Sequence, residues 1–129
     1  TLAGVGFVDD LRSDADTTTP TVIEDIEWFA TPRDECQTQI RLANLAAKPG
    51  LEPVATILRM NPGAAFATGW TDVRFKGGSE AGVAYGSWRL TRDDGRTYVL
   101  AGGVANPTTP VNSLRAISTL TAGIRLLGH

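Results

Sequence analysis

The sequence has few of the residues on which most metal and redox chemistry depends. Its 129 residues include one histidine, His129, and one cysteine, Cys36. A metal site with several histidine ligands and an intrachain disulfide are therefore excluded, and a histidine-based catalytic triad is improbable. Cys36 has no histidine partner, and its position in an apolar pattern favours a buried thiol over a catalytic one.

Excess positive charge and long apolar runs are also lacking. The chain has 12 basic and 14 acidic residues, a net charge of −2, so nucleic acid is not an expected partner. The most apolar early stretch, residues 2–8, is interrupted by Gly4 and Gly6 and is too short to span a membrane. Hydrophobic residues at 42% and charged residues at 20% are typical of a globular domain.

The first half of the chain divides into two parts. Residues 1–31 carry turn-forming residues without periodicity and are expected to be irregular. Residues 32–60 are expected to be helical, because Thr31 is a good N-cap and Pro32 suits the first helical position. The apolar stripe of this first helix is predicted to contain Cys36, Ile40, Ala43 and Ala47. A second helix is predicted over residues 52–60, with Val54, Ile57 and Leu58 facing inward.

The second half, residues 70–129, changes to strand patterns and closes with a helix. Strands are predicted around Val73 and Phe75, over residues 83–91 and over residues 98–105, with Gly95 in the turn between the last two. Residues 111–127 repeat apolar side chains, beginning with Leu114, at helical spacing. The order predicts an α+β fold in one domain or the C-terminal portion of one. Its three-stranded antiparallel sheet is covered on one face by the last helix.

The segment Phe75-Lys76-Gly77-Gly78-Ser79-Glu80-Ala81-Gly82 is the most unusual in the sequence. Glycines allow a ligand to approach the backbone, a strand edge offers free N–H groups, and the lysine adds positive charge. Together these features suit a carboxylate or a developing oxyanion. An ordinary glycine-rich turn between two strands is the alternative interpretation of the same pattern.

The surroundings of Lys76 resemble a known family. Gly69-Trp70 precedes the lysine, an aromatic-bearing strand and the strand 96–101 follow it, and residues 30–34 are similar to a Thr-Pro helix start. This order resembles the C-terminal part of the serine β-lactamase and penicillin-binding protein superfamily, most closely the actinobacterial serine hydrolases related to class A β-lactamases. The resemblance covers about residues 28–127 and depends on the order of the motifs rather than on any one of them.

The resemblance implies a role for each residue near the lysine. Lys76-Gly77-Gly78 stands in place of the family's Lys-(Thr/Ser)-Gly triad, so Lys76 would supply charge to a substrate carboxylate and to proton transfer. The backbone N–H of Ser79 would complete the oxyanion hole. The substrate-contacting residues would be Trp70, Gly77, Gly78 and Glu80. Gly77 lacks the family's hydroxyl group, which argues against true β-lactamase activity.

The family's nucleophile is absent from the sequence, because no serine is followed by lysine three positions later. Glu24 and Glu27 are candidates, by position alone, for the glutamate that deacylates class A enzymes. The leading hypothesis is the C-terminal part of an acyl-serine hydrolase acting on an amide or ester, a small molecule or peptide with an anionic group. A missing N-terminal segment would carry Ser-x-x-Lys, no cofactor would be needed, and a secreted or cell-envelope location is compatible. The alternative is a non-catalytic binding or scaffold domain that keeps the sheet.

Overall fold

The computed structural model describes residues 18–20, 23–24, 29–66 and 68–127. This part of the chain contains helices α1 (Pro32–Ala46) and α2 (Pro53–Arg59), strands β1 (Trp70–Glu80), β2 (Val83–Arg92) and β3 (Thr97–Ala105), and helix α3 (Ser113–Leu126). The predicted α+β class is confirmed. Most of the segment 1–31, Glu27 included, lies outside the described residues, as does His129. No helix in the described ranges is long and apolar enough to cross a bilayer.

The strands form an antiparallel sheet in the order β1-β2-β3, with β2 in the centre. The two residues Ala81 and Gly82 connect β1 to β2, and Gly95 adopts a φ of +83° in the turn before β3. β1 is longer than expected, since it continues through Gly77 and Gly78. The glycine-rich segment is therefore a strand as far as Glu80, and only Ala81 and Gly82 form the turn between two strands.

One face of the sheet packs against α3. Trp88 and Leu90 of β2 are fully buried there with Ile124 of α3. Further apolar side chains surround this core: Phe66, Trp70, Val73, Phe75, Leu100, Ile117 and Leu120. Because side chains alternate along a strand, the odd-numbered residues of β2 lie on the opposite face.

That opposite face is covered by α1 and α2. Gln39 of α1 is 1% exposed, and its Nε2 donates to Ser87 Oγ of β2 at 3.0 Å. Arg59 of α2 pairs with Asp72 of β1. The sheet thus lies between helices on both sides, and the α1–α2 layer combines these polar contacts with the buried side chains of Ala55 and Leu58.

The start of α1 follows the sequence prediction, but three apolar side chains, one in each helix, are more exposed than their pattern predicts. Thr31 and Asp34, on either side of Pro32, form a reciprocal capping box, as a threonine N-cap predicts. In contrast, Ile40 is 41% exposed, Ile57 64% and Leu114 83%. The prediction that Ile57 faces inward is wrong, and Ile40 and Leu114 are exposed although they belong to the predicted apolar repeats. In α1 the buried position belongs to Gln39, whose hydrogen bond to β2 sets the rotation of the helix.

A cluster of charges joins α2 to the sheet. Asp72 Oδ1 accepts from Arg59 Nε at 2.7 Å, and Asp72 Oδ2 accepts from Arg74 Nε at 2.9 Å. Arg89 Nη1 lies 3.5 Å from the same Oδ2. Burial raises the pKa of Asp72, but the hydrogen bond from Arg59 and the charges of Arg74 and Arg59 outweigh it, so this pKa lies below its usual value.

The depressed pKa of Asp72 predicts an acid-dependent loss of stability. The contribution is fully present above the unfolded pKa of about 3.9 and is lost as the pH falls through the lower folded pKa. Asp72→Asn should lower the free energy of unfolding by about 2 kcal/mol at pH 7, because three guanidinium groups lose their carboxylate. Urea unfolding should show a smaller difference from wild type at pH 3. Asp93→Asn, at an exposed hairpin carboxylate without an ion pair in the described residues, is the control. An equal difference between Asp72→Asn and wild type at both pH values would contradict the assignment.

Candidate functional site

The site is built around Lys76, on the outer strand of the sheet. Its side chain is exposed on the face that α1 covers, and its Nζ donates to the backbone oxygen of Gly77. A depression of about 300 Å³ lies beside it. The lining residues in the described ranges are Ala30, Glu35, Lys76, Gly77, Gly78, Val83 and Tyr85. Lys76, Gly77 and Gly78, predicted to act together, therefore lie at one depression.

The outer edge of β1, the side turned away from β2, is not paired with a strand in the described part of the chain. The two-residue turn at Ala81-Gly82 makes Glu80 and Val83 the first hydrogen-bonded pair of the hairpin. Since bonding direction alternates along the strand, Gly77 and Ser79 direct their backbone N–H and C=O groups to the outer edge. The Ser79 N–H predicted for the oxyanion hole is thus oriented to the same edge as the Gly77 oxygen that holds Lys76.

Three glycines lie side by side across the sheet, since Gly77 pairs with Gly86 and Gly86 pairs with Gly102. A Cβ on Gly77 would overlap the ring of Phe75, and a Cβ on Gly86 would approach Trp88 Cη2 at 2.6 Å. The row of glycines therefore makes room for aromatic rings on the α3 face. The position where the resembled family has a hydroxyl residue is occupied in space by Phe75.

This packing predicts opposite outcomes for two glycines in neighbouring strands. Gly86→Ala should lower the free energy of unfolding by about 1–3 kcal/mol, because the methyl group forces the Trp88 ring to move. Gly78→Ala is the matched control: its Cβ would meet no atom within 4 Å, so stability should be unchanged or slightly higher. Chemical denaturation of both variants measures the difference. Equal effects would show that the ring packing does not restrict Gly86.

Tyr85 is a site residue that the sequence analysis missed. It pairs with Gly78 across the strands and lines the depression beside Lys76. Its hydroxyl oxygen is buried and has no hydrogen-bond partner in the described residues. Burial raises the pKa of Tyr85, and the negative charges of Glu35 and Asp34 raise it further. The Tyr85 ring leans over Gly103 of β3, so the tyrosine forms the wall of the depression on the side away from β1.

The signal for Tyr85 was present in the hairpin itself. A two-residue turn at Ala81-Gly82 fixes the register, which places Tyr85 opposite Gly78 on the face of Lys76. No sequence pattern predicts the hydrogen bonds by which α1 contacts the strands. Gln39 bonds to Ser87, and Ser87 Oγ donates to the backbone oxygen of Lys76 at 3.3 Å. This relay fixes the strand below the lysine.

The other predicted site residues have different surroundings. Ser79 and Glu80 are exposed at the end of β1. Trp70 packs into the α3-side core, with its ring centre 6.0 Å from that of Tyr98 and the Arg92 guanidinium 5.9 Å from its ring. Its predicted contact with substrate stays a prediction. Cys36 is half-buried, and Glu24 is exposed.

The chemistry available at the depression is binding and charge stabilisation. Lys76 supplies a cation, and the outer edge of β1 supplies N–H groups that have no partner strand in the described residues, a set that suits a carboxylate and a developing oxyanion. Within the described ranges, no group of three or more acidic, histidine or cysteine residues is arranged to hold a metal ion. No protein-family model matches the chain, and no curated protein has significant sequence similarity to it.

Proposed function

We propose that this chain is the C-terminal part of a β-lactamase-like serine hydrolase that forms an acyl-serine intermediate on an amide or ester. The observation that carries the proposal is the position of Lys76 beside a depression, on an edge strand whose outward N–H groups include that of Ser79. In this proposal Lys76 binds an anionic group of the substrate. The Ser79 N–H stabilises the oxyanion of the tetrahedral intermediate.

The serine nucleophile and its lysine base would come from a segment outside these 129 residues. The proposal requires this, since no Ser-x-x-Lys sequence occurs in the chain. A second unpaired strand edge, that of β3, supports the proposal. β3 carries no charged residue over Thr97–Ala105, and its outer edge has no partner strand in the described residues. Edges of this kind are normally covered in soluble proteins, and a preceding segment of the same hydrolase would cover this one.

A non-catalytic binding or scaffold domain is the second candidate function. The observation that favours it is at Gly77, where the Phe75 ring occupies the space of a side chain. A hydroxyl group that grips the substrate carboxylate therefore has no room there unless the ring moves. In this alternative, the depression with Lys76 and Tyr85 binds an anionic ligand without reaction.

The two functions are separated by reaction with a fluorophosphonate probe, which labels activated serines. The protein from its native source is treated with the probe and analysed by denaturing intact-mass spectrometry. The hydrolase proposal predicts an adduct on a polypeptide that carries sequence beyond residues 1–129, or on a second polypeptide that copurifies. A single unlabelled species of 13.7 kDa would overturn the hydrolase proposal and favour the non-catalytic binding domain.

A further inference from the structure

The arginine cluster between α1, α2 and the sheet has more donors than acceptors. Each guanidinium carries five N–H donors, whereas one carboxylate accepts about four hydrogen bonds. Asp72 is shared by Arg59, Arg74 and Arg89, which crowd onto its two oxygens at 2.7, 2.9 and 3.5 Å. Most of the N–H groups of these arginines are therefore left for another acceptor.

A cavity is located where those donors lie. About 300 Å³ of space separates the end of α1 from α2, and Arg59 and Arg74 line it together with Glu52 and Thr56. The remaining lining residues are Ala43, Ala46, Ala47 and Ala55. The alanine side chains are too small to fill this space, so there is room for a ligand beside the guanidinium groups.

The cluster has an excess of positive charge, and two of its three guanidinium groups are largely buried, whereas Arg59 is half exposed. Three arginines are accompanied by two carboxylates, Asp72 beneath them and Glu52 at the cavity wall. The side chains of Arg74 and Arg89 are only 13% and 22% exposed. Burial lowers the pKa of Arg89, and repulsion by the Arg74 charge lowers it further. An added anion would relieve this repulsion.

We propose that the cavity between α1 and α2 binds a phosphate-class oxyanion through Arg59 and Arg74, with Arg89 adding charge from beneath. Guanidinium groups bind tetrahedral oxyanions through paired N–H donors, which a lysine cannot match. The Thr56 hydroxyl at the cavity wall adds a neutral donor. The volume exceeds that of a free phosphate ion, so the oxyanion is either inorganic phosphate or the phosphoryl group of a small organic molecule. This site is separate from the Lys76 depression, and its existence does not depend on the hydrolase proposal.

The test compares two arginines that each form an ion pair with an aspartate. Arg59 and Arg96 each bond through Nε to one aspartate at 2.7 Å, and both are exposed, but only Arg59 lines the cavity. Arg59→Met and Arg96→Met in the 129-residue chain are titrated with inorganic phosphate by calorimetry, with ionic strength held constant by chloride. Glycerol 3-phosphate is titrated in parallel.

Wild type and Arg96→Met are expected to bind phosphate with the same dissociation constant, and Arg59→Met should raise it at least tenfold. Tighter binding of glycerol 3-phosphate than of phosphate would assign a phosphomonoester, and equal or weaker binding would assign the free ion. If titration with phosphate produces no heat beyond that of the chloride control, the proposal is overturned. Equal weakening in both methionine variants also overturns it, since that result reports general charge and not the cavity.

Discussion

Replacing Trp88 with alanine is expected to lower the free energy of unfolding by about 4 kcal/mol, the usual cost of removing a fully buried indole. The Trp88 ring is completely buried, lies 4.8 Å from the ring of Phe75, and donates from Nε1 to the backbone oxygen of Pro62 at 2.9 Å. The variant therefore loses packing on the α3 face and the bond that fixes the loop after α2. Urea unfolding followed by far-ultraviolet circular dichroism measures the loss.

Two further variants identify the source of that effect. Trp88→Phe keeps a ring but removes the N–H donor, so it should lose about 1–2 kcal/mol less than Trp88→Ala. Phe29→Ala removes an aromatic side chain that is 71% exposed and should leave the unfolding curve unchanged. A loss below about 1 kcal/mol in Trp88→Ala would show that the α3 face is not the main core.

Lys76→Met is expected to slow fluorophosphonate labelling of the proposed hydrolase by roughly 100-fold, because the resemblance gives this lysine a part in proton transfer, and such a contribution is worth about 100-fold or more. Methionine keeps the length of the side chain and removes the charge. Lys76 is exposed, so folding should not change. Labelling rates are compared at equal protein concentration, with circular dichroism as the check on structure.

Lys48→Met is the matched control for this experiment. Lys48 is an exposed lysine in the turn after α1 and does not line the depression at Lys76. Its replacement should leave the labelling rate at the wild-type value. If both variants label at the wild-type rate, Lys76 has no part in the reaction of the serine with the probe.

The elements of the fold were predictable because their signals are local. Pro32 after Thr31, Gly95 in its turn and the alternation around Val73 and Phe75 each depend on neighbouring residues, and all appear in the structure as predicted. The layering of the helices was not predictable in the same way. A buried glutamine such as Gln39 gives no apolar signal, and its partner Ser87 is 48 positions away.

The candidate site was predicted in part, because some of its residues are neighbours in the sequence. Lys76, Gly77 and Gly78 are consecutive, so their common location follows from the sequence. Tyr85 is brought to them by the hairpin register, and the ring of Phe75 fills the space above Gly77 through packing with Trp88. Contacts of this kind depend on the rotamers of bulky side chains, which a sequence pattern does not specify.

The Gln39–Ser87 hydrogen bond also bears on the order in which the chain folds. β1, β2 and β3 pair only with their neighbours in sequence, so the sheet closes two short loops at small entropic cost. Helix α1 reaches the central strand across 48 positions and loses more chain entropy when it docks. We expect the amides of β2 to be protected from hydrogen exchange before those of α1, so that the meander is the nucleus onto which the helical layer folds.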